Sequence, residues 1–140
     1  MSDPVLTPHS AMVYLMVMVA AADARMSDAE IAAMSHSVAD LPVFRGYDRA
    51  KLLTAVQACA DILEDREGLD TVLALVCDAL PETLRDTGYA IACTVAISDG
   101  KVGQKELRLL EMIREALGID RLAAAGIERG VAALHRSVPA

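Results

Sequence analysis

Tryptophan is missing from the chain, phenylalanine occurs once and tyrosine three times, so any interior must be built from aliphatic side chains. The hydrophobic share is nonetheless 54%, carried by Ala, Leu, Ile, Val and seven Met. Ala, Leu and Met are good helix formers, and a core of small aliphatics suits closely packed helices. Basic clusters are lacking as well: 13 Lys and Arg stand against 20 Asp and Glu, a formal net charge of −7. Neutralising phosphates needs clustered cations, which argues against nucleic acid as a partner and against an anionic membrane surface. Cysteine is sparse and odd in number. Cys59, Cys77 and Cys93 form no CxxC pair, which suits free thiols in a reducing compartment better than a disulfide framework. Met1-Ser2-Asp3-Pro4 lacks the basic region of a secretory signal. The apolar run from Ala11 to Ala22 falls well short of the roughly 20 residues that a spanning helix requires. The expectation is a cytoplasmic protein without membrane insertion, and at 140 residues a single domain able to bury roughly 70% of its unfolded surface.

What the chain does contain is one stretch written twice. Ala20-Ala21-Ala22-Asp23-Ala24-Arg25-Met26-Ser27-Asp28-Ala29-Glu30-Ile31 returns as Ala96-Ile97-Ser98-Asp99-Gly100-Lys101-Val102-Gly103-Gln104-Lys105-Glu106-Leu107. Both copies pass through a small or apolar helix end, an Asp, a turn residue, a basic residue, an apolar residue, a cap position and a Glu three places on. The order of chemical types is kept, which predicts two related helical halves, about residues 8–64 and 65–136.

Seven helices follow from periodicity and caps. Thr7-Pro8 reads as an N-cap with Pro in the first helical position. The helix it opens, running to about Asp23, is apolar nearly all round and should be central and buried. Ser27 and Glu30 fit a capping box opening a second helix to near Val38. Leu41 to Tyr47, with Pro42, Gly46, Phe44 and Tyr47, reads as an ordered connection. Asp48 is placed to cap a third helix carrying Leu52, Leu53, Val56, Ala60 and Leu63 at helical spacing. Glu64 to Gly68 marks a turn, and Leu69, Val72, Leu73, Val76 and Leu80 form the face of a fourth helix. Pro81 starts a fifth that runs to about Ser98 through Gly88. The sixth spans Gly103 to Gly118, a left-handed C′ candidate, and Asp120 caps the seventh to about His135. No strand is predicted, so the fold class is all-α: one domain with pseudo-symmetric halves.

In both copies of the repeated stretch the Asp falls at the last turn of a helix, where the carbonyl end of the dipole disfavours a carboxylate by about 0.3–1 kcal/mol. Two kinds of compensation are open. One is local: Arg25 or Lys101, or Asx-type bonds to amides opening the next helix. The other is a divalent cation held by Asp23, Glu30, Asp99 and Glu106 together. An oxygen-only set favours Mg²⁺ or Ca²⁺ over Zn²⁺. Glu30 and Glu106 are also explained as capping residues without any ion. The Asp-to-Glu spacing is too short for an EF-hand loop.

Asp99-Gly100-x-Val102-x-x-x-Glu106 at a helix–turn–helix, with Asp23 and Glu30 repeating it, resembles the TerB-like tellurite-resistance family and the related N-terminal helical region of membrane-anchored J-domain co-chaperones. The first copy departs from the pattern, with Ala24 in place of Gly and Met26 in place of Val or Ile. The resemblance implies an all-helical pseudo-symmetric domain associated with tellurite and general stress resistance, and an acidic cluster suspected of binding metal.

Other chemistry is thinly represented. His9, His36 and His135 lie in separate helices without ligand spacing. Met12 and Met16 share a face with Val19, which is core spacing. The cysteines sit among apolar neighbours, where thiols are inert; Cys93, close before Asp99, is the best placed for reducing an oxyanion. No Ser has a partner His or Asp in a nucleophile motif, and no phosphate loop is present, so no enzyme is expected. The alternative to a metal module is a protein-interaction module or self-associating protein whose acids serve only as caps, with Phe44 and Tyr47 as a candidate contact patch.

Overall fold

The computed structural model describes residues 6–22, 26–98, 100 and 102–139. Thr7 opens the first helix: its Oγ1 accepts from the Ser10 N–H at 3.1 Å, and Pro8 takes the position where a missing N–H costs nothing. This helix, α1 (Pro8–Ala20), is buried at every residue from Ala11 to Ala20, so an apolar stretch without a polar face has become the axis of the core. It ends at Ala20, short of the Asp23 expected from the sequence, with Ala21 and Ala22 already in the turn.

Six more α-helices follow: α2 (Asp28–Asp40), α3 (Leu52–Leu63), α4 (Gly68–Ala79), α5 (Arg85–Ile97), α6 (Gln104–Ala116) and α7 (Arg121–Leu134). No strand occurs among the described residues. Three short 3₁₀ turns, Pro42–Phe44, Arg49–Lys51 and Glu82–Leu84, were not foreseen. Asp48 caps the second of these, accepting from the Ala50 N–H at 3.0 Å, and the turn then feeds α3. Pro81 likewise precedes a 3₁₀ turn and not the α-helix itself. Where the chain enters a helix from an extended residue without an N3 cap, a tighter first turn satisfies some of the opening amides.

The ends of α6 and α7 are set by local chemistry. Gly118 takes φ +68° at C′ of α6, the Ile119 N–H reaches the Arg114 carbonyl at 3.1 Å, and the Gly118 N–H reaches that of Glu115 at 3.1 Å. This is the Schellman arrangement, and it places Asp120 to cap α7 through the amides of Leu122 at 2.8 Å and Ala123 at 3.1 Å.

The packing has a central pair. α1 lies against α5, and each carries its own flanking helices: α1 touches α2 and α3, while α5 touches α6 and α7. The cross contacts are reciprocal too, α2 with α5 and α6 with α1, and α4 fills the side against α1, α3 and α6. Two glycines permit the close approaches. A Cβ on Gly88 of α5 would come within 3.0 Å of the Cδ1 atoms of Leu15 and Leu80. At Gly68, the first residue of α4, a Cβ would lie 2.1 Å from the Ile62 carbonyl oxygen and 2.8 Å from Leu63 Cα, so α4 leaves α3 through a corner that admits no side chain.

Phe44 is 4% exposed and sits between His9 and Tyr47, at ring-centroid distances of 5.8 and 5.7 Å. A ring nitrogen of His9 is 2.8 Å from the Val43 carbonyl oxygen, which ties the connection to α1. The Phe44 ring therefore plugs the end of the core and does not form the exposed patch considered from the sequence.

Candidate functional site

The two repeated turns lie between α1 and α2 and between α5 and α6. In the first turn of each following helix the third residue is a Glu that bends back to the amide of the cap residue. Ser27 and Glu30 complete the box: Glu30 Oε1 accepts from the Ser27 N–H at 2.9 Å, and Ser27 Oγ accepts from the Glu30 N–H at 3.1 Å. In the second copy Glu106 Oε1 accepts from the Gly103 N–H at 3.2 Å, but glycine has no side chain with which to reciprocate. Both carboxylates are withdrawn from water, Glu30 at 7% exposure and Glu106 at 4%. Burial of this degree is unusual for Glu and requires a compensating partner. Oε1 of Glu30 is committed to an amide, and Oε2 makes no hydrogen bond among the described residues.

Asp23 and Asp99, with Arg25 and Lys101, lie outside the described residues, so of the four candidate ligands the structure places Glu30 and Glu106. Among the described residues no three His, Cys, Asp or Glu side chains gather as a metal-binding group. The turns themselves share one end of the bundle. Ala21 and Ala22, which follow α1, line a groove with Gln104 and Lys105 from the first turn of α6. Ala29, in the first turn of α2, lines another with Thr94 and Ser98 at the end of α5. Each turn thus abuts the helix launched by the other. Gly100 takes φ +85° with nothing within 4 Å of a would-be Cβ, so conformation and not space favours glycine at the position that Ala24 holds in the first copy.

Sequence reasoning missed a polar cluster where α6 and α7 pack on α5. Tyr89, 1% exposed, donates from its hydroxyl to Glu128 Oε2 at 2.5 Å, and Arg114 Nη1 holds the same oxygen at 3.2 Å. This triad joins α5, α6 and α7 and borders a cavity of about 410 Å³ walled by Cys93, Ile97, Val102, Leu110 and Val131. Burial, then the bond to Glu128, pushes the Tyr89 phenol well above its ordinary range. Tyr89 and Glu128 are far apart in sequence and neither carries a motif, so only the packing of α7 on α5 reveals them. Arg85 is similar: its Nη1 donates to the Leu117 carbonyl at 2.9 Å, binding the C-terminal end of α6 with a cation where the dipole favours one. His36 and His135 are brought to one groove, beside Ala32 and Ser37.

The thiols are placed as inert groups. Burial raises Cys59 to about 12 and Cys93 to about 11, and raises Cys77 as well, against the opposing effect of Arg85. A thiolate is the attacking species in thiol redox chemistry, so these sites are poorly suited to reducing an oxyanion near neutral pH. The expected outcome with iodoacetamide at pH 7.5 is that Cys59 and Cys93 remain unmodified in native protein and react in urea. The same shifts fix a pH dependence: above the unfolded thiol value of about 8.5 the unfolded chain loses protons that the native state still holds, so stability falls as pH rises toward 11–12. Urea midpoints measured across pH 8 to 11 test this, with a shallower fall expected for Cys93→Ala.

A family model described as tellurite resistance protein TerB matches residues 9–129. Searches of characterised proteins and of solved structures returned no match.

Proposed function

Because the chain belongs to the TerB family of tellurite-resistance proteins, we propose that it acts as a non-enzymatic metal-binding or metal-responsive module in tellurite and general stress resistance. Asp23, Glu30, Asp99 and Glu106 are the ligands of a single shared divalent cation, Mg²⁺ or Ca²⁺ in preference to Zn²⁺. The observation that carries this reading is the pair of buried carboxylates, Glu30 and Glu106, each opening a helix from one of two turns at the same end of the domain. An ion would supply positive charge to carboxylates that the sequence clusters around the two turns. The halves, residues 8–64 and 65–136, are proposed to descend from a duplication. Equal lengths of α1 and α5, and of α2 and α6, support it, as do their reciprocal contacts.

Thermal unfolding tests the site. Millimolar Mg²⁺ or Ca²⁺ is expected to raise Tm, since an ion at 100 times its Kd stabilises a native state by about 2.7 kcal/mol. Asp99→Asn, which preserves shape and removes charge, is expected to abolish the shift; an equal shift in the variant, or none in the wild type, overturns the shared-ion reading.

One observation favours a second reading. The reciprocal Ser27 and Glu30 bonds account for Glu30 as a cap without any ion, which would leave the domain a protein-interaction or self-associating module. Under that reading Glu30→Gln weakens α2 equally with and without metal.

A further inference from the structure

The acidic turns are not the only feature at their end of the bundle. Beside them an open groove of about 570 Å³ runs between the α3–α4 corner and the first turns of α6, floored by the end of α1. Its apolar surface comes from Met18, Leu63, Leu69, Leu109 and Met112, of which Leu63, Leu69 and Met112 are only half-buried. Among the described residues its rim is cationic: Arg66, Lys105 and Arg108 stand on it, against the carboxylate of Asp65. Arg108 is also within 3.4 Å of Glu111, an exposed pair of little strength. Arg66 and Lys105 have no ion pair or hydrogen bond among the described residues. In a chain of net charge −7 this local excess of positive charge runs against the molecule's overall field. The size lies within the range of about 300–1,000 Å³ usual for small-ligand sites, and an apolar wall with a few convergent polar groups is their usual character.

We propose that this groove binds a free single-chain amphipathic anion, its hydrocarbon body lying on Met18, Leu69, Leu109 and Met112 and its acid head between Arg66, Lys105 and Arg108. The anionic head meets Arg66 and Lys105, which have no ion pair among the described residues, and Arg108, whose exposed pair with Glu111 is weak, and the chain removes half-exposed Leu and Met surface from water. Methionine, flexible and polarisable, suits a wall that must fit chains of varied length. The site stands independently of the proposed metal: its residues are not the acidic ligands, and its test needs no divalent ion.

The probe is decanoate, below its micelle concentration and in chelator-treated buffer, with methionine-methyl NMR as the readout. Saturable shifts of the Met18 and Met112 methyls, with Met34 unmoved, are the expected result. Decyltrimethylammonium, with the same chain and opposite charge, should bind at least tenfold more weakly, and Arg66→Glu with Lys105→Glu should reverse the preference. Circular dichroism establishes that the doubly substituted protein is folded; these are exposed positions. No shift at Met18 and Met112 with decanoate, equal binding of the cationic amphiphile, or binding only to phosphatidylglycerol vesicles overturns the proposal. Each outcome is separable from the metal reading, which concerns Tm in the presence of Mg²⁺ or Ca²⁺.

Discussion

Gly68→Ala is expected to lower the stability of the domain by about 3 kcal/mol, the upper part of the range for overpacking. For a chain of this size that corresponds to a Tm lower by roughly 10 °C. The added methyl would meet the Ile62 carbonyl oxygen at 2.1 Å and Leu63 Cα at 2.8 Å, and both are backbone atoms that no rotamer change can move. Relief requires α4 to pull away from α3, and α4 also lies on α1, so the strain reaches the core. Thermal denaturation followed by circular dichroism measures it. A Tm within 2 °C of wild type would show that the α3–α4 corner is looser than described. Gly126→Ala is the matched control, because nothing lies within 4 Å of its would-be Cβ and helix propensity alone favours Ala there.

Leu15→Ala should cost as much or more. Leu15 is fully buried in α1 and lies over Gly88 of the neighbouring central helix. Truncation of a buried Leu costs about 2–5 kcal/mol, through lost transfer free energy and the cavity left behind. A double-mutant cycle with Gly88→Ala sharpens the test. In wild type the Gly88 methyl would crowd the Leu15 and Leu80 side chains at 3.0 Å. With Leu15 shortened, part of that crowding is gone and the new methyl occupies part of the cavity. The coupling is expected to be favourable, on the order of 1 kcal/mol. Strict additivity in urea denaturation would mean that α1 and α5 do not meet at these residues.

Most of the fold was legible in the sequence because its signals are local. Thr7, Ser27 and Asp120 act within three residues of themselves, and Gly118 does the same at the other end of a helix. The unbroken apolar character of Ala11 to Ala20 leaves no face for water, so its central place followed from composition alone. The 3₁₀ turns before α3 and α5 were not legible, since Asp48 and Pro81 signal that a helix begins and not how tightly its first turn winds. Gly88 read as a mere interruption; its purpose is visible only once Leu15 and Leu80 are placed around it. The candidate site divides in the same way. Glu30 and Glu106 were legible as capping residues through their spacing from a cap position, whereas the Tyr89–Glu128–Arg114 cluster and the cationic groove at Arg66 and Lys105 depend on helix packing that no single stretch encodes.

The reading of the acidic turns as one site rests on sharing. Were each turn to hold its own ion, the chain would carry two weak sites; a shared ion makes one. Calorimetric titration of chelator-treated protein with Ca²⁺ and with Mg²⁺ counts ions per chain directly. One ion per chain, lost in Asp99→Asn and equally in Glu30→Gln, is the expected result. Two ions per chain, or no binding by a chain that is fully folded, would contradict it.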